Sequence, residues 1–421
     1  MTMKILQPKY IQTIEPILPA SKSISNRVLV INALSGNKRQ PENISDCDDT
    51  RVMMEWLGLN PSKIDIGAAG TAMRFSTALL AITEGTHVIT GSQRMRQRPI
   101  GVLVDALRQL GADIKYVENE GFPPLEINGK AGMEGGEICL RGDVSSQYIT
   151  ALLMIAPYMT TGLTLTLQGQ VISRPYIDMT LSIMRFFGAD ARWEGTNSVK
   201  VGKKPYVKKN FTVENDWSAS SYWYEIASLC NSRCEILLDG LQPNSLQGDA
   251  EVAKIFRMLG IDTQFIRLPN AGTAAKITNT LPVSKRVEYD FVNQPDLAQT
   301  VVVTCCMKGV PFHFTGLQSL RIKETDRLKA LRTELAKLGF NIEERNGSEL
   351  IWEGISRHLP ASELEMVSID TYADHRMAMA FAPIALTFGS ININNPEVVS
   401  KSYPNYWDEL EKAGFSISKQ S

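Results

Sequence analysis

The sequence predicts a two-domain α/β protein built from six strand–helix repeats, three in each domain. The chain has 421 residues, which is too long for one ordinary hydrophobic core. Six amphipathic helical stretches each end at a glycine and pass into a short alternating segment. About 40 residues upstream of each glycine, a polar cluster opens a helix of small and apolar residues. Because both markers recur in phase, each repeat is expected to span about 70 residues.

The glycines mark where the repeats turn from helix to strand. They are Gly58, Gly111, Gly188, Gly260, Gly339 and Gly414. Glycine just past a helix is typical of a left-handed cap, and the alternating residues after Gly111 predict a strand. Ordinary α/β alternation without true repetition is the alternative interpretation.

The polar clusters are the candidate binding elements. They open the predicted helices in segments 21–34, 69–82, 145–156, 218–229, 295–306 and 373–386. A helix N-terminus offers unpaired amide hydrogens and the positive end of the helix dipole, which favour an anion. If the six openings face one another, they form a pocket suited to phosphates and carboxylates.

Composition excludes several classes of protein. A net charge of −1 argues against nucleic-acid binding, and with 43% hydrophobic and 21% charged residues the chain is typical of globular proteins. No signal peptide is predicted in residues 1–16, and no apolar run is long enough to cross a bilayer. Six dispersed cysteines without a CxxC pair, and only four histidines, predict reduced thiols, no metal and a cytoplasmic location.

Three motifs in the first half of the chain carry cationic side chains, or glycines that let a ligand approach the backbone. In LPASKSISNR (18–27), Lys22 and Arg27 lie near a positive helix end, which is unfavourable unless an anion offsets them; a plain serine cap is the alternative. The glycines of GAAGTAMR (67–74) allow backbone amides to approach a ligand. RMRQRPIG (94–101) is either a phosphate clamp or an ordinary basic loop.

Other motifs add neutral donors and carboxylates. Residues 144–147 place serines and a glutamine at a helix start, while proline excludes a regular central strand in SRPYID (173–178). If RIKETDRL (321–328) is helical, Lys323 and Arg327 share one face beside a carboxylate suited to acid–base chemistry; an exposed charged helix is the alternative. Asp296 opens an apolar helix and is either a cap or a base.

Taken together, these stretches resemble the 5-enolpyruvylshikimate-3-phosphate (EPSP) synthase family over almost the whole chain. The motifs that carry the resemblance are LPASKSISNR, AGTAMR, RMRQRPIG, VSSQ, SRPYID, NSLQGD, RIKETDR, DHRMAM and SKSYPNYW. The resemblance implies an inside-out α/β barrel of two domains, each with three βαβαββ repeats whose helix N-termini face the interdomain cleft. It also implies a discontinuous domain, 1–19 with 215–421, and an inserted domain, 20–214.

The resemblance further implies roles for individual residues. Those expected to bind shikimate 3-phosphate are Lys22, Ser23, Arg27, Ser145, Ser146, Gln147, Ser173, Asp296, Ser319 and Lys323. Those expected to bind phosphoenolpyruvate are Lys22, Gly70, Arg98, Gln147, Arg327, Arg376 and Lys401. Asp296 is expected to accept the 5-hydroxyl proton, and Glu324, helped by Lys22, to handle the proton at the methylene carbon.

The reaction implied is addition and elimination. The 5-hydroxyl of shikimate 3-phosphate attacks C2 of phosphoenolpyruvate while C3 is protonated, and loss of phosphate and a C3 proton restores the vinyl group. No cofactor is implied, and a monomer is expected. One alternative is the sister enolpyruvyl transferase for UDP-N-acetylglucosamine, which typically carries a cysteine in the loop matching 94–101; none lies between Cys47 and Cys139. Another is a non-catalytic phospho-ligand binding protein, expected to lack Asp296 or Glu324.

The sequence departs from the family pattern at three positions. Ala68 replaces an asparagine, Phe75 replaces a proline, and Ser319 stands where an asparagine usually precedes the KETDR motif. Loss of the amide and added bulk behind the helix start predict weakened binding of the inhibitor glyphosate and a raised KM for phosphoenolpyruvate.

Overall fold

The chain forms two compact units in a computed structural model that describes residues 1–11, 13–59, 61–269, 272–360, 363 and 366–420. The first, here called the split unit, contains Met1–Pro19 and Glu214–Ser421. The second, the insert unit, contains Ala20–Val213. Each unit is built around a separate hydrophobic core.

Helices and strands alternate along the chain. The α-helices are α1 Lys22–Leu34, α2 Asp48–Leu59, α3 Gly70–Ala81, α4 Gly101–Gln109, α5 Ser146–Ile155, α6 Arg174–Phe186, α7 Trp217–Leu229, α8 Val252–Arg257, α9 Ala298–Lys308, α10 Arg327–Lys337, α11 His375–Phe381, α12 Ala385–Phe388 and α13 Tyr406–Lys412. The strands are β1 Thr2–Leu6, β2 Thr13–Ile14, β3 Lys63–Asp65, β4 Gly85–Thr90, β5 Asp113–Tyr116, β6 Leu125–Gly129, β7 Gly136–Arg141, β8 Leu163–Gln168, β9 Ala191–Glu194, β10 Ser198–Val201, β11 Glu235–Asp239, β12 Asp262–Arg267, β13 Thr273–Thr278, β14 Val287–Asp290, β15 Phe312–Thr315, β16 Glu343–Arg345, β17 Glu349–Trp352, β18 Ser368–Ile369, β19 Ser390–Asn394 and β20 Ser416–Gln420. Short 3-10 helices cover Met95–Gln97, Ala156–Tyr158, Gly248–Glu251, Pro295–Leu297, Gln318–Ile322, Ala382–Ile384 and Pro396–Lys401.

The described residues form five four-stranded sheets that share one pattern of pairing. Their strand orders are β3-β4-β6-β5, β7-β8-β10-β9, β2-β11-β13-β12, β14-β15-β17-β16 and β18-β19-β1-β20. In each order the first two strands are parallel and the next two pairings are antiparallel. This recurrence supports true repetition over ordinary α/β alternation.

The predicted repeat is wrong in one place, at its first copy in the insert unit. Gly58 lies inside α2 rather than past its end, whereas the other five glycines have φ between +89° and +97°. The helix runs on because β3, which follows it, opens the next sheet by pairing parallel to β4. Elsewhere the chain turns back through the glycine into an antiparallel edge strand. Between α1 and α2, the described residues show only an isolated bridge, Glu42 to Thr212.

The helices lie inside and the sheets lie outside in each unit. Every residue of α7 except Ser218 is buried, and α3, α5, α9 and α11 are buried over almost their whole lengths. A helix that is apolar all round belongs in a core. The outer strands instead alternate between buried and exposed residues, as in β8. The polar residues at the helix starts are therefore held on rigid elements.

Across the described residues, no helix is both long and apolar enough to cross a membrane.

Candidate functional site

All six predicted helix openings begin helices, and within each unit the side chains at these starts meet. In the split unit the openings lead α7, α9 and α11, with the Asp216 and Asp374 side chains acting as N-caps of α7 and α11. The Pro295–Leu297 turn precedes α9 and carries Asp296. The result is a cluster of charged groups at one end of buried helices.

Asp296 is held by three cations. Its Oδ1 accepts a hydrogen bond from Nη1 of Arg327 at 2.9 Å and lies 3.4 Å from Nζ of Lys323. Its Oδ2 accepts from Nη2 of Arg376 at 3.0 Å, and Nη1 of Arg376 also donates to the Asp296 carbonyl. The arrangement leaves this carboxylate ionised and fixed in orientation.

The KETDR segment is not helical, contrary to the helical arrangement considered for it. A 3-10 turn ends at Ile322, and α10 begins only at Arg327, because the Asp326 side chain accepts from the Lys329 N–H as an N-cap. Lys323 and Arg327 consequently reach the same carboxylate from a turn and a helix start. Their mutual repulsion is offset by Asp296.

Arg327 is the centre of the cluster. Its side chain is 1% exposed and contacts three carboxylates: Asp296, Glu324 at 3.0 Å and Asp374 at 2.7 Å. The other oxygen of Glu324 accepts from Nζ of Lys401 at 2.7 Å. Of the residues predicted from sequence, the structure therefore brings together Asp296, Lys323, Glu324, Arg327, Arg376 and Lys401.

The electrostatics of the cluster favour its charged form. Burial alone would raise the pKa of Asp296, but the charges of Arg376, Lys323 and Arg327 outweigh it and hold that pKa well below its ordinary value. Burial would likewise lower the pKa of Arg327, but the neighbouring carboxylates raise it. A substrate anion that binds these cations must compete with carboxylates already in place.

Asp249 is a second carboxyl beside the cluster. It is buried and accepts a hydrogen bond from the Ser218 hydroxyl at the start of α7. Burial, followed by the charge of Asp296, raises the pKa of Asp249 to about 6, with Arg376 opposing the shift. Near neutral pH this group sits close to the point where it changes protonation state.

Asp249→Asn is expected to make the chain more stable at pH 7.5 but not at pH 4.5. The folded pKa exceeds the unfolded value, so the stabilising contribution is complete below about pH 4 and is lost as the pH rises through 6. The gain at pH 7.5 should reach about 2 to 3 kcal/mol, since the amide keeps the Ser218 contact. Urea unfolding of wild type and variant at both pH values measures it. A variant less stable than wild type at both would contradict the assignment.

In the insert unit, Lys22 and Arg27 lie on α1 in different environments. Nζ of Lys22 is 3.8 Å from Oδ2 of Asp49, and the Ser21 side chain caps the helix. Arg27 is buried, donating from Nε to the Thr180 hydroxyl at 2.8 Å and from Nη1 to the Ser23 carbonyl at 2.7 Å. Burial lowers the pKa of Arg27 to about 10. A buried cation hydrogen-bonded to neutral groups favours an approaching anion.

The start of α3 is packed against the arginine loop. A Cβ added at Gly70 would lie 2.6 Å from Nη1 of Arg98, so a larger residue here would displace this guanidinium from the helix start. Arg74 donates to the Gly70 carbonyl at 3.0 Å and to the Pro99 carbonyl at 3.2 Å, joining helix and loop. Arg98 is the arginine of this loop that contacts the helix opening, while Arg96 pairs with Glu118.

The neutral donors occupy helix starts as predicted. Nε2 of Gln147 donates to the Thr71 hydroxyl at 3.2 Å, which connects the openings of α5 and α3. Ser145 caps α5 and Ser146 is its first residue. Ser173 precedes α6 with φ of +54° and makes no side-chain cap bond.

The three departures from the family pattern lie in the 3-10 turn before α10 and in or just before α3. Ser319 lies half-buried in the 3-10 turn Gln318–Ile322, and among the described residues no hydrogen bond joins it to the charged cluster. Phe75 is buried in α3 with its ring 5.5 Å from the guanidinium carbon of Arg27, while Ala68 is exposed. The departure at Phe75 thus touches a residue expected to bind substrate.

Sequence reasoning assigned no site role to Asp49, Asp249 or Asp374. Each is at most 3% exposed and lies beside a cation or another carboxyl of these clusters. A signal existed for two of them: Asp374 directly precedes an apolar helix, and Asp249 ends the NSLQGD motif. Which cation each would contact depends on tertiary packing.

Comparisons of sequence and of structure with known proteins all match one family. Residues 58–410 match the family model for EPSP synthase (3-phosphoshikimate 1-carboxyvinyltransferase). A 3-phosphoshikimate 1-carboxyvinyltransferase of Bacteroides fragilis is 54% identical over 404 residues, 95% of each chain. One of Photobacterium profundum is 37% identical over 421 residues, 93% of this chain and 94% of the relative. The structure of EPSP synthase from Acinetobacter baumannii aligns with this chain over 100% of both chains, with a TM-score of 0.77 and 20% sequence identity.

Proposed function

Because this chain belongs to the EPSP synthase family, we propose that the two clusters described above carry out the family's reaction. The chain is a transferase of aromatic amino-acid biosynthesis that moves the carboxyvinyl group of phosphoenolpyruvate to shikimate 3-phosphate and releases phosphate. The discontinuous domain, 1–19 with 215–421, supplies the catalytic carboxylates and most phosphoenolpyruvate contacts, and the inserted domain, 20–214, holds most of shikimate 3-phosphate.

The observation that supports this assignment is the ionised Asp296 carboxylate surrounded by Lys323, Arg327 and Arg376. Both substrates are phosphate monoesters that also carry a carboxylate. When the phosphate and carboxylate groups of the substrates bind these cations, the Asp296 carboxylate loses part of the positive field that lowers its pKa. Substrate binding therefore makes Asp296 a better base, and only when the reactants are present.

The proton steps follow from this change. Asp296 accepts the proton of the 5-hydroxyl as that oxygen attacks C2 of phosphoenolpyruvate. Glu324, hydrogen-bonded to Arg327 and Lys401, handles the proton at C3, assisted by Lys22. Arg327, Arg376, Lys401, Arg98 and Gly70 are assigned to phosphoenolpyruvate. The positive charges of the three arginines and the lysine offset the repulsion between two anionic substrates.

Shikimate 3-phosphate is assigned to the helix starts of the insert unit together with three turn residues of the split unit. The proposed contacts are Lys22, Ser23, Arg27, Ser145, Ser146, Gln147, Ser173, Asp296, Ser319 and Lys323, with Gln147 and Lys22 also touching phosphoenolpyruvate. Serine hydroxyls and α-helix N-termini suit a phosphate and ring hydroxyls. We also propose a cytoplasmic monomer that needs no cofactor.

Phosphate release from phosphoenolpyruvate tests the acceptor. Release with shikimate 3-phosphate but not with UDP-N-acetylglucosamine is expected. Release only with the nucleotide sugar would assign the chain to the sister transferase, and no release with either would favour the non-catalytic binding protein. Because Asp296 and Glu324 are both present and paired with cations, turnover with the shikimate is the expected outcome.

Glyphosate inhibition is expected to be weak in wild type and stronger in Ala68→Asn. The exposed Ala68 lies two residues before Gly70 and lacks the amide that could donate to the inhibitor. One recovered hydrogen bond, worth about 0.5 to 1.5 kcal/mol, should lower Ki about twofold to tenfold. Ki against phosphoenolpyruvate measures this, with Ala68→Ser as a smaller polar control. Family-typical potency in the wild type would contradict the prediction.

A further inference from the structure

Cys230 and Cys234 frame a five-residue turn in the split unit, remote in sequence from the charged cluster. Cys230 ends α7, with its N–H donating to the Ile226 carbonyl at 3.1 Å, and Cys234 directly precedes β11. Asn279 binds both ends of the turn. Its Oδ1 accepts from the Cys234 N–H at 2.8 Å, and its Nδ2 donates to the Cys230 carbonyl at 3.2 Å. One side chain thus fixes the backbone on which both thiols are mounted.

The two thiols are free, adjacent and different in character. Cys230 is half-buried and Cys234 is buried. The interaction between the two thiols lowers the pKa of Cys230 and raises that of Cys234. Lys308, at the end of α9, is held nearby by donating to the Ser228 carbonyl at 2.6 Å, and its charge also lowers the pKa of Cys230. Thiolates beside a cation are the reactive form of cysteine.

A small reagent has access to Cys230. A surface pocket of about 360 Å³ is lined by Cys230 and Lys308 together with Ser228 and Met307. The pocket lies wholly in the split unit. Cys230 is therefore the thiol that a reagent in the pocket can reach, and Cys234 is the buried thiol of the pair.

We infer that Cys230 and Cys234 form a reversible thiol–disulfide pair that reacts with hydrogen peroxide or a related peroxide. The Cys230 thiolate attacks one peroxide oxygen and breaks the O–O bond, giving sulfenic acid and hydroxide, which takes up a proton to become water. The Cys234 thiol then attacks the sulfenic sulfur, forming the S–S bond and releasing a second water. Two thiols are oxidised and one peroxide is reduced to two waters.

The position of the pair predicts that oxidation leaves catalysis intact. Cys230 follows the last turn of α7, whose first turn carries Ser218 beside Asp249. The whole helix is thirteen residues long, a length of about 20 Å. The disulfide between Cys230 and Cys234 is expected to link the two ends of the turn that follows α7. It should change kcat by less than about twofold, whichever acceptor the enzyme uses.

Peptide mapping of the full-length wild type tests the inference. After mild peroxide treatment and thiol blocking, a peptide linked through Cys230 and Cys234 is expected, and dithiothreitol should abolish it. Cys139, exposed on β7 of the insert unit, is the internal control and should remain a free thiol under the same dose. Cys139 oxidised before Cys230, or Cys230 oxidised to the sulfinic acid without a linked peptide, would overturn the proposal.

Two variants separate the roles of the neighbours. In Cys234→Ser, the Cys230 sulfenic acid should persist and be trapped by dimedone, with no disulfide formed. Lys308→Met should slow alkylation of Cys230 at pH 7 about threefold to tenfold while leaving that of Cys139 unchanged. Unchanged alkylation of Cys230 would remove Lys308 from the site. The wild-type map needs neither variant, so a folding defect in one does not affect the main test.

Discussion

Asp296→Asn should lower kcat by a factor of about 10² to 10⁴ without raising the KM for phosphoenolpyruvate. The amide cannot accept the 5-hydroxyl proton. Its loss of charge also leaves Lys323, Arg327 and Arg376 with less negative charge to compete against incoming anions. Steady-state phosphate release with shikimate 3-phosphate measures both constants. Loss of kcat with unchanged or tighter binding is the signature of a base rather than of a binding residue.

Asp326→Asn is the matched control for this experiment. It removes a carboxylate that does not contact Asp296: Asp326 caps α10 and pairs with the partly exposed Arg321, and asparagine caps a helix equally well. Near-wild-type kinetics are expected. A raised KM with kcat preserved in Asp296→Asn would show instead that Asp296 positions substrate, and the base would have to be sought elsewhere in the cluster.

Local patterns were sufficient to predict the helix starts. Serines, aspartates and glycines before apolar runs predicted the starts of α1, α3, α5, α7, α9 and α11, because capping and anion preference are decided within one turn of helix. The recurrent glycines likewise predicted five of six helix ends. Gly58 was the exception, since its conformation depends on the sheet that the following strand joins.

The pairing of charges could not be predicted in the same way. A helical segment would have placed Lys323 and Arg327 on one face, whereas Asp326 begins α10 as its N-cap and leaves Lys323 outside the helix. That three carboxylates from separate segments meet one guanidinium depends on how α9, α10 and α11 pack, which spacing along the chain does not encode. Asp374 was visible as a carboxylate before an apolar helix, but its partner was not.

The dependence of the cluster on one cation leads to the second large effect. Arg327→Met should lower the free energy of unfolding by about 3 to 5 kcal/mol at pH 7.5, because the buried carboxylates of Asp296, Glu324 and Asp374 lose a shared partner. Urea denaturation measures the change. Arg332→Met, on the same helix, removes a partly exposed pair with Glu344 and should cost no more than about 1 kcal/mol.

The pH dependence of that loss distinguishes charge from packing. Without Arg327, the Asp296 carboxylate loses one of the three cations that hold its pKa below the ordinary value, so its folded pKa rises and protonation relieves part of the loss. The stability deficit should accordingly be greatest at pH 7.5 and shrink as the pH falls towards 4. A deficit that stays constant across this range would mean that methionine simply packs badly. A deficit that shrinks would establish that the lost stability comes from the charges of the carboxylates paired with Arg327. These are the pairs that substrate anions are proposed to rearrange in each turnover.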